Sequence, residues 1–326
     1  YNVIEAFDQE WKAKLEGTVG GHWGLYNADR TPKFSLAGPV VGNVAWPWLL
    51  AVSSGLALVL VGGLSLLRRR VPGTGWVVLI LLAQALSTLY VRAAFLAEHG
   101  KHYWQDTTLA VAMLALTAAL ALAVLLTAHR TLASGGLASE PLVGLRHARP
   151  ALTRTERVGR WSAVALGVAA LVWSLLIVFD GRYRDFPNPY LLIPAVALPA
   201  LGLIRTARRP LGSGTRNALG IASLFRPAVP VADGEPRGLC GAVHRLPVES
   251  VLGFGLLLAA LLTVVAEGFV PLESLIYGQL PFLEALHEVD WTRPNWEALG
   301  WAALQILLAL PFLAGVWSAR RPLRRI

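Results

Sequence analysis

Residues 107–128 read TTLAVAMLALTAALALAVLLTA, twenty-two positions without one Asp, Glu, Lys, Arg or His. A hydrocarbon layer about 30 Å thick is crossed by about 20 residues rising about 1.5 Å each, so this stretch has the length and solubility of one spanning helix. The same test, run outward in both directions, finds six more charge-free windows: 34–67, 71–91, 161–179, 186–204, 250–266 and 298–319. Pro194 and Pro199 interrupt the fifth, which a spanning helix tolerates where neighbours satisfy the freed carbonyls. The expected fold is mainly α, a polytopic membrane bundle of about seven transmembrane helices over residues 41–326. The spans are expected near 46–67, 73–95, 107–128, 161–179, 187–204, 249–267 and 298–319.

Composition agrees: 55% of the 326 residues are hydrophobic and only 15% charged. The mean hydropathy of +0.54 is too high for a domain that must face water on all sides. Formal net charge is +9, but the basic residues fall in short clusters between apolar runs, not along one soluble face, which argues against a nucleic-acid partner. The single cysteine, Cys240, has no partner for an internal disulfide and no metal-ligand spacing around it.

Lys and Arg are retained in cytoplasmic loops, so their distribution predicts orientation. One set of loops holds Arg68, Arg69 and Arg70, six basic residues in 129–160, seven in 205–249 and four in the C-terminal tail. The opposite set, beyond the first 45 residues, holds Lys101, Arg182, Arg184 and Arg293. Twenty against four puts the C-terminus in the cytoplasm and the N-terminus outside, periplasmic if the membrane is a bacterial inner membrane. The two long Arg-, Gly- and Pro-rich loops lack strand alternation and read as irregular. An anionic-lipid contact is a modest addition to their topological role.

Residues 1–40 differ in kind. YNVIEAF (1–7) reads as a short buried strand, and the polar turn after it places Asp8, Gln9 and Glu10 at its C-terminal end. A glycine-rich stretch with His22, Trp23 and Tyr26 follows. EAFDQEWK followed by a Gly-rich turn and HWGLY resembles the last strand and closing loop of glycoside hydrolase family seventeen, β-1,3-glucanases and glucanosyltransferases built on a (β/α)8 barrel. The resemblance covers about the first 36 residues. It implies that residues 1–40 are the C-terminal remnant of such a barrel, and that the chain is the later part of a longer membrane-bound protein implicated in periplasmic or cyclic β-glucan synthesis. Retaining glycosidases use two carboxyl groups about 5–5.5 Å apart. The family's acid follows the fourth strand and its nucleophile ends the seventh, so both would lie before Tyr1, leaving no catalytic residue here.

Carried over position by position, Glu5 and Asp8 match acidic positions at the rim of the sugar cleft, Trp11 a packing or stacking aromatic, and Lys12 the motif's basic residue. Plant members have Glu where this chain has Gln9. Each position also has a plainer reading. Glu5 is either substrate-facing or paired with a buried cation, since a lone carboxylate in an apolar strand is costly. His22 and Trp23 contact sugar or close the loop, and Lys12 is a cleft residue or a solvated charge.

In the membrane part, Glu98, His99, His102 and Asp106 follow the second span. On a continued helix, His99, His102 and Asp106 would share a face, but Tyr103 and Trp104 fit an interfacial belt better than a zinc site, and no metal is assigned. Arg92 either snorkels or pairs with Asp180, Asp185 or Glu267. Arg182, Tyr183, Arg184 and Asp185 form either an outer-face glycan contact or an aromatic-belted turn.

The function expected is that of the membrane region and barrel remnant of an enzyme that hydrolyses or transglycosylates β-1,3-glucan outside the cytoplasmic membrane, without a cofactor. Its partners would be β-glucan, the lipid bilayer and a glucan synthase. The alternative is a glucan-export or synthase-docking protein without its own catalysis, because seven spans exceed what anchoring needs.

Overall fold

A computed structural model describes residues 5–12, 20–34, 43–67, 69–99, 104–133, 153–179, 186–207, 248–277, 281–284 and 296–319. Two short strands come first, β1 (Glu5–Phe7) and β2 (Gly24–Tyr26), with a single 3-10 turn at Glu10–Lys12 between them. Seven long helices follow: α1 (Trp46–Ser65), α2 (Gly73–His99), α3 (Trp104–Ala133), α4 (Arg154–Phe179), α5 (Asn188–Ala207), α6 (Val248–Tyr277) and α7 (Trp296–Ala319). Each is long and apolar enough to cross a bilayer, which points to a multi-pass membrane protein.

All seven expected spans are present, and most helices outrun them. α4 begins at Arg154, seven residues before its expected span, and α6 continues to Tyr277, ten residues past its own. A hydropathy window marks only the part matched to hydrocarbon, whereas backbone hydrogen bonding carries on into the interface. The start of α4 has a specific cause. The Thr153 hydroxyl accepts from the Glu156 amide at 3.3 Å, and the Glu156 carboxylate accepts from the Thr153 amide at 3.0 Å, a reciprocal capping box. α5 runs unbroken through Pro194 and Pro199. Each ring costs one backbone hydrogen bond, to Tyr190 and to Ala195, and packing on every side of α5 keeps the helix together.

α5 is the centre of the bundle, packing against α2, α3 and α7, while α6 lies against α7 and α4. α1 draws its packing from α2 and exposes Leu50, Val52, Leu58 and Val59, a surface suited to lipid and not to water. Glycines set the closeness of α4, α6 and α7: a Cβ on Gly167 would come within 2.9 Å of Leu252, and one on Gly253 within 2.9 Å of Leu313. Trp46 and Trp48 stand exposed at the start of α1 and Trp296 at the start of α7, where interfacial aromatics are expected.

The interior is apolar apart from a few satisfied hydroxyls and one cluster. Thr117, Thr127 and Thr263 return their hydroxyls to the carbonyl four residues back, which hides the group inside its own helix. In the cluster, Ser174 of α4 donates to Ala170 O at 2.8 Å and accepts from Trp301 Nε1 of α7 at 3.0 Å and from Gln305 Nε2. Its one donor and two acceptor positions are all filled, and the bonds pin α4 to α7.

The N-terminal part departs from expectation. The described residues form a two-stranded sheet, not a piece of closed barrel. Of the expected strand 1–7 only Glu5–Phe7 is described, and within it Glu5 is buried while Ala6 and Phe7 are exposed. A barrel strand is buried by neighbours on both edges and layers on both faces, and here β1 has β2 alone. The metal-site geometry considered beyond the second span also changes. His99 ends α2 and Asp106 lies in the first turn of α3, so they share no helix face, and His102 is outside the described residues.

Candidate functional site

β1 and β2 run parallel, with Glu5 opposite Gly24 and Phe7 opposite Tyr26. Gly24 is what permits the approach: a Cβ there would stand 2.3 Å from Asp8 N and from Phe7 C. After β2 the chain reverses through a turn in which Asn27 N donates to Thr31 O at 2.8 Å and Arg30 takes a left-handed φ of 69°. That reversal brings Lys33 back beneath the strands.

Asp8, at the end of β1, is the hub. Its Oδ1 accepts from the Gly24 amide at 3.0 Å and from Lys33 Nζ at 2.6 Å, and its Oδ2 lies 3.2 Å from His22 Nδ1. Lys33 also donates to the His22 carbonyl at 2.7 Å, closing the loop on itself. Partial burial opposes ionisation of Asp8, but the bonds from Lys33, His22 and Gly24 outweigh it and hold the carboxyl below its ordinary range.

Glu5 is the second buried carboxylate, and Lys12 donates to its Oε1. Lys12 in turn sits between two indoles, 5.7 Å from the centre of the Trp11 ring and 6.0 Å from that of Trp23. Trp11 is 57% exposed and Trp23 38% exposed, so both rings present surface outward around a cation whose charge is balanced from below by Glu5. Trp11 is steadied by a 2.8 Å bond from its Nε1 to Gln9.

The six residues singled out at this end of the sequence therefore meet in one place. Glu5 and Lys12 pair with each other, Asp8 and His22 form the loop clasp, and Trp11 and Trp23 form the exposed face. Lys33 was missed, because its partner Asp8 is twenty-five residues earlier and nothing local marks it. Arg182, Tyr183, Arg184 and Asp185 lie outside the described residues. Arg92 is exposed on α2. Among the described residues no group of three or more His, Cys, Asp or Glu is placed to hold a metal.

A second polar group, unforeseen, lies where α2 and α4 begin and α3 and α5 end. Arg205 of α5 donates to Glu156 of α4 at 2.6 Å, and Arg130 of α3 reaches Thr153 at 3.4 Å. His129, fully buried on α3, stacks at 5.9 Å on Trp76 of α2. The Thr-x-x-Glu spacing at 153–156 was a legible signal for the cap, whereas the cross-helix partners had none.

Comparison with protein-family models, with curated proteins and with solved structures finds no match.

Proposed function

We propose that the chain is the membrane region, with one wall of a sugar cleft, of a retaining enzyme that hydrolyses or transfers β-1,3-glucan outside the bacterial cytoplasmic membrane. The catalytic carboxylates would be supplied by sequence before Tyr1. The observation that carries the reading is the exposed pair Trp11 and Trp23 around Lys12, at the strand end where the EAFDQEWK and HWGLY motifs converge. Flat aromatic faces beside a hydrogen-bond donor suit the apolar face and hydroxyl rim of a glucosyl unit. The twenty-to-four distribution of basic residues supports an outward N-terminus.

The test is binding of laminari-oligosaccharides to the purified chain by calorimetry. Binding is expected to weaken roughly tenfold in the W11A/W23A double variant, from two aromatic contacts of about 0.5–1.5 kcal/mol each. No turnover of laminarin is expected from this chain. Cleavage by it, or binding indifferent to both tryptophans, would overturn the proposal. The export or docking alternative draws on the tight packing of seven helices. It predicts that replacing them with one unrelated anchor abolishes glucan production.

A further inference from the structure

We infer that the cavity between α2, α3 and α5 is a binding site for an anionic phospholipid, with acyl chain inside and phosphate on Arg69 and Arg130. The inference is independent of the glucan proposal. The cavity measures about 370 Å³ and is lined by Thr74, Gly75 and Val78 of α2, Leu132 of α3, and Leu203 and Ile204 of α5. Its size falls among small-molecule sites of about 300–1,000 Å³. The lining is aliphatic but for the Thr74 hydroxyl and backbone, so it offers a water molecule too few partners and suits a hydrocarbon chain. Gly75 keeps the wall open, because a Cβ there would press to 2.7 Å from Val71 and 3.5 Å from Leu132.

Charge at this end of the bundle selects the headgroup. Arg130 precedes Leu132 by two residues on α3, and Arg69 stands just ahead of α2; both act through space on the buried His129. Glu156 is already engaged by Arg205 and by its own cap, so it does not neutralise them. The remaining contact of Arg130, 3.4 Å to the Thr153 hydroxyl, is neutral. Two guanidinium groups beside an apolar slot at a helix end match a phosphodiester whose tail runs into the bilayer, and Arg suits phosphate through paired N–H bonds.

The experiment is native mass spectrometry of the whole chain in detergent, titrated with phosphatidylglycerol or phosphatidylcholine of identical acyl chains. One phosphatidylglycerol is expected to be held about tenfold more tightly than phosphatidylcholine, and less tightly as salt rises. R130Q should weaken it about fivefold and R130K restore most of that loss; L132W, which fills the slot, should abolish retention. Should L132W fail to fold, R130Q decides. Equal retention of the two lipids, indifference to R130Q in a folded protein, or displacement by millimolar inorganic phosphate as readily as by lipid would each overturn the inference.

Discussion

At the residue scale, the outer unit turns on two positions. Gly24 admits no side chain, so Gly24→Ala should push β2 off β1 and cost about 1–3 kcal/mol locally. Hydrogen exchange would show it as lost protection of the Asp8 amide, which donates to Tyr26 O at 3.0 Å. Asp8 is the other. Its carboxyl is held below the model value of 3.8, so its contribution is complete above that pH and fades as pH falls through the lower folded value. Acidification below about pH 4 should therefore open the loop around His22 and Lys33, and Asp8→Asn should remove that acid transition. Fluorescence of a variant retaining only Trp11 and Trp23 as outer tryptophans would follow it. The sequence showed these residues but not their pairing. Glu5 and Lys12 are seven apart across a 3-10 turn, and Asp8 and Lys33 are joined by a reversal that rests on a left-handed Arg30. Such partnerships depend on chain direction, which residue types do not specify.

The scale of the element separates what hydropathy encodes from what packing adds. Seven spans are legible because uncharged runs of that length have one favourable solvent, and even the proline-bearing α5 obeys the rule. Their ends are less legible: Glu156, Arg157 and Arg160 excluded the first turns of α4 from any charge-free window, while the capping box extends the helix through them. Thr153→Ala should shorten α4 from its N-terminus and cost about 1 kcal/mol, measurable as a shifted unfolding midpoint in mixed micelles. The join between α4 and α7 was invisible, since neither Ser174 nor Gln305 differs in sequence from any polar residue in a span. Ser174→Ala leaves the Trp301 and Gln305 donors unpaired in the core. A loss of about 0.6–2 kcal/mol is expected, the lower figure being typical of hydrogen bonds between spanning helices. Gly253→Leu should do more harm, because α6 would have to retreat from Leu313 and Phe312.

For the whole molecule, the proposed orientation has a direct test in the one native cysteine. Cys240 lies in the arginine-rich stretch 205–249, so a membrane-impermeant maleimide should label it only after cells are permeabilised. Labelling in intact cells would invert the layout and remove the outer sugar chemistry with it. The placement of α5 at the centre and α1 at the margin could not be read from the windows, which are nearly alike in composition. Helix order in space follows from small side chains and cross-helix contacts spread over distant segments.

That margin has a mechanical consequence. The outer unit is joined to the rest of the chain through α1, the helix with the slightest purchase on its neighbours, gripped by α2 and otherwise wetted by lipid. Tension applied from outside, as by a growing or sliding polymer, would be absorbed by tilting one loosely moored rod before it strained the tightly bolted assembly around α5.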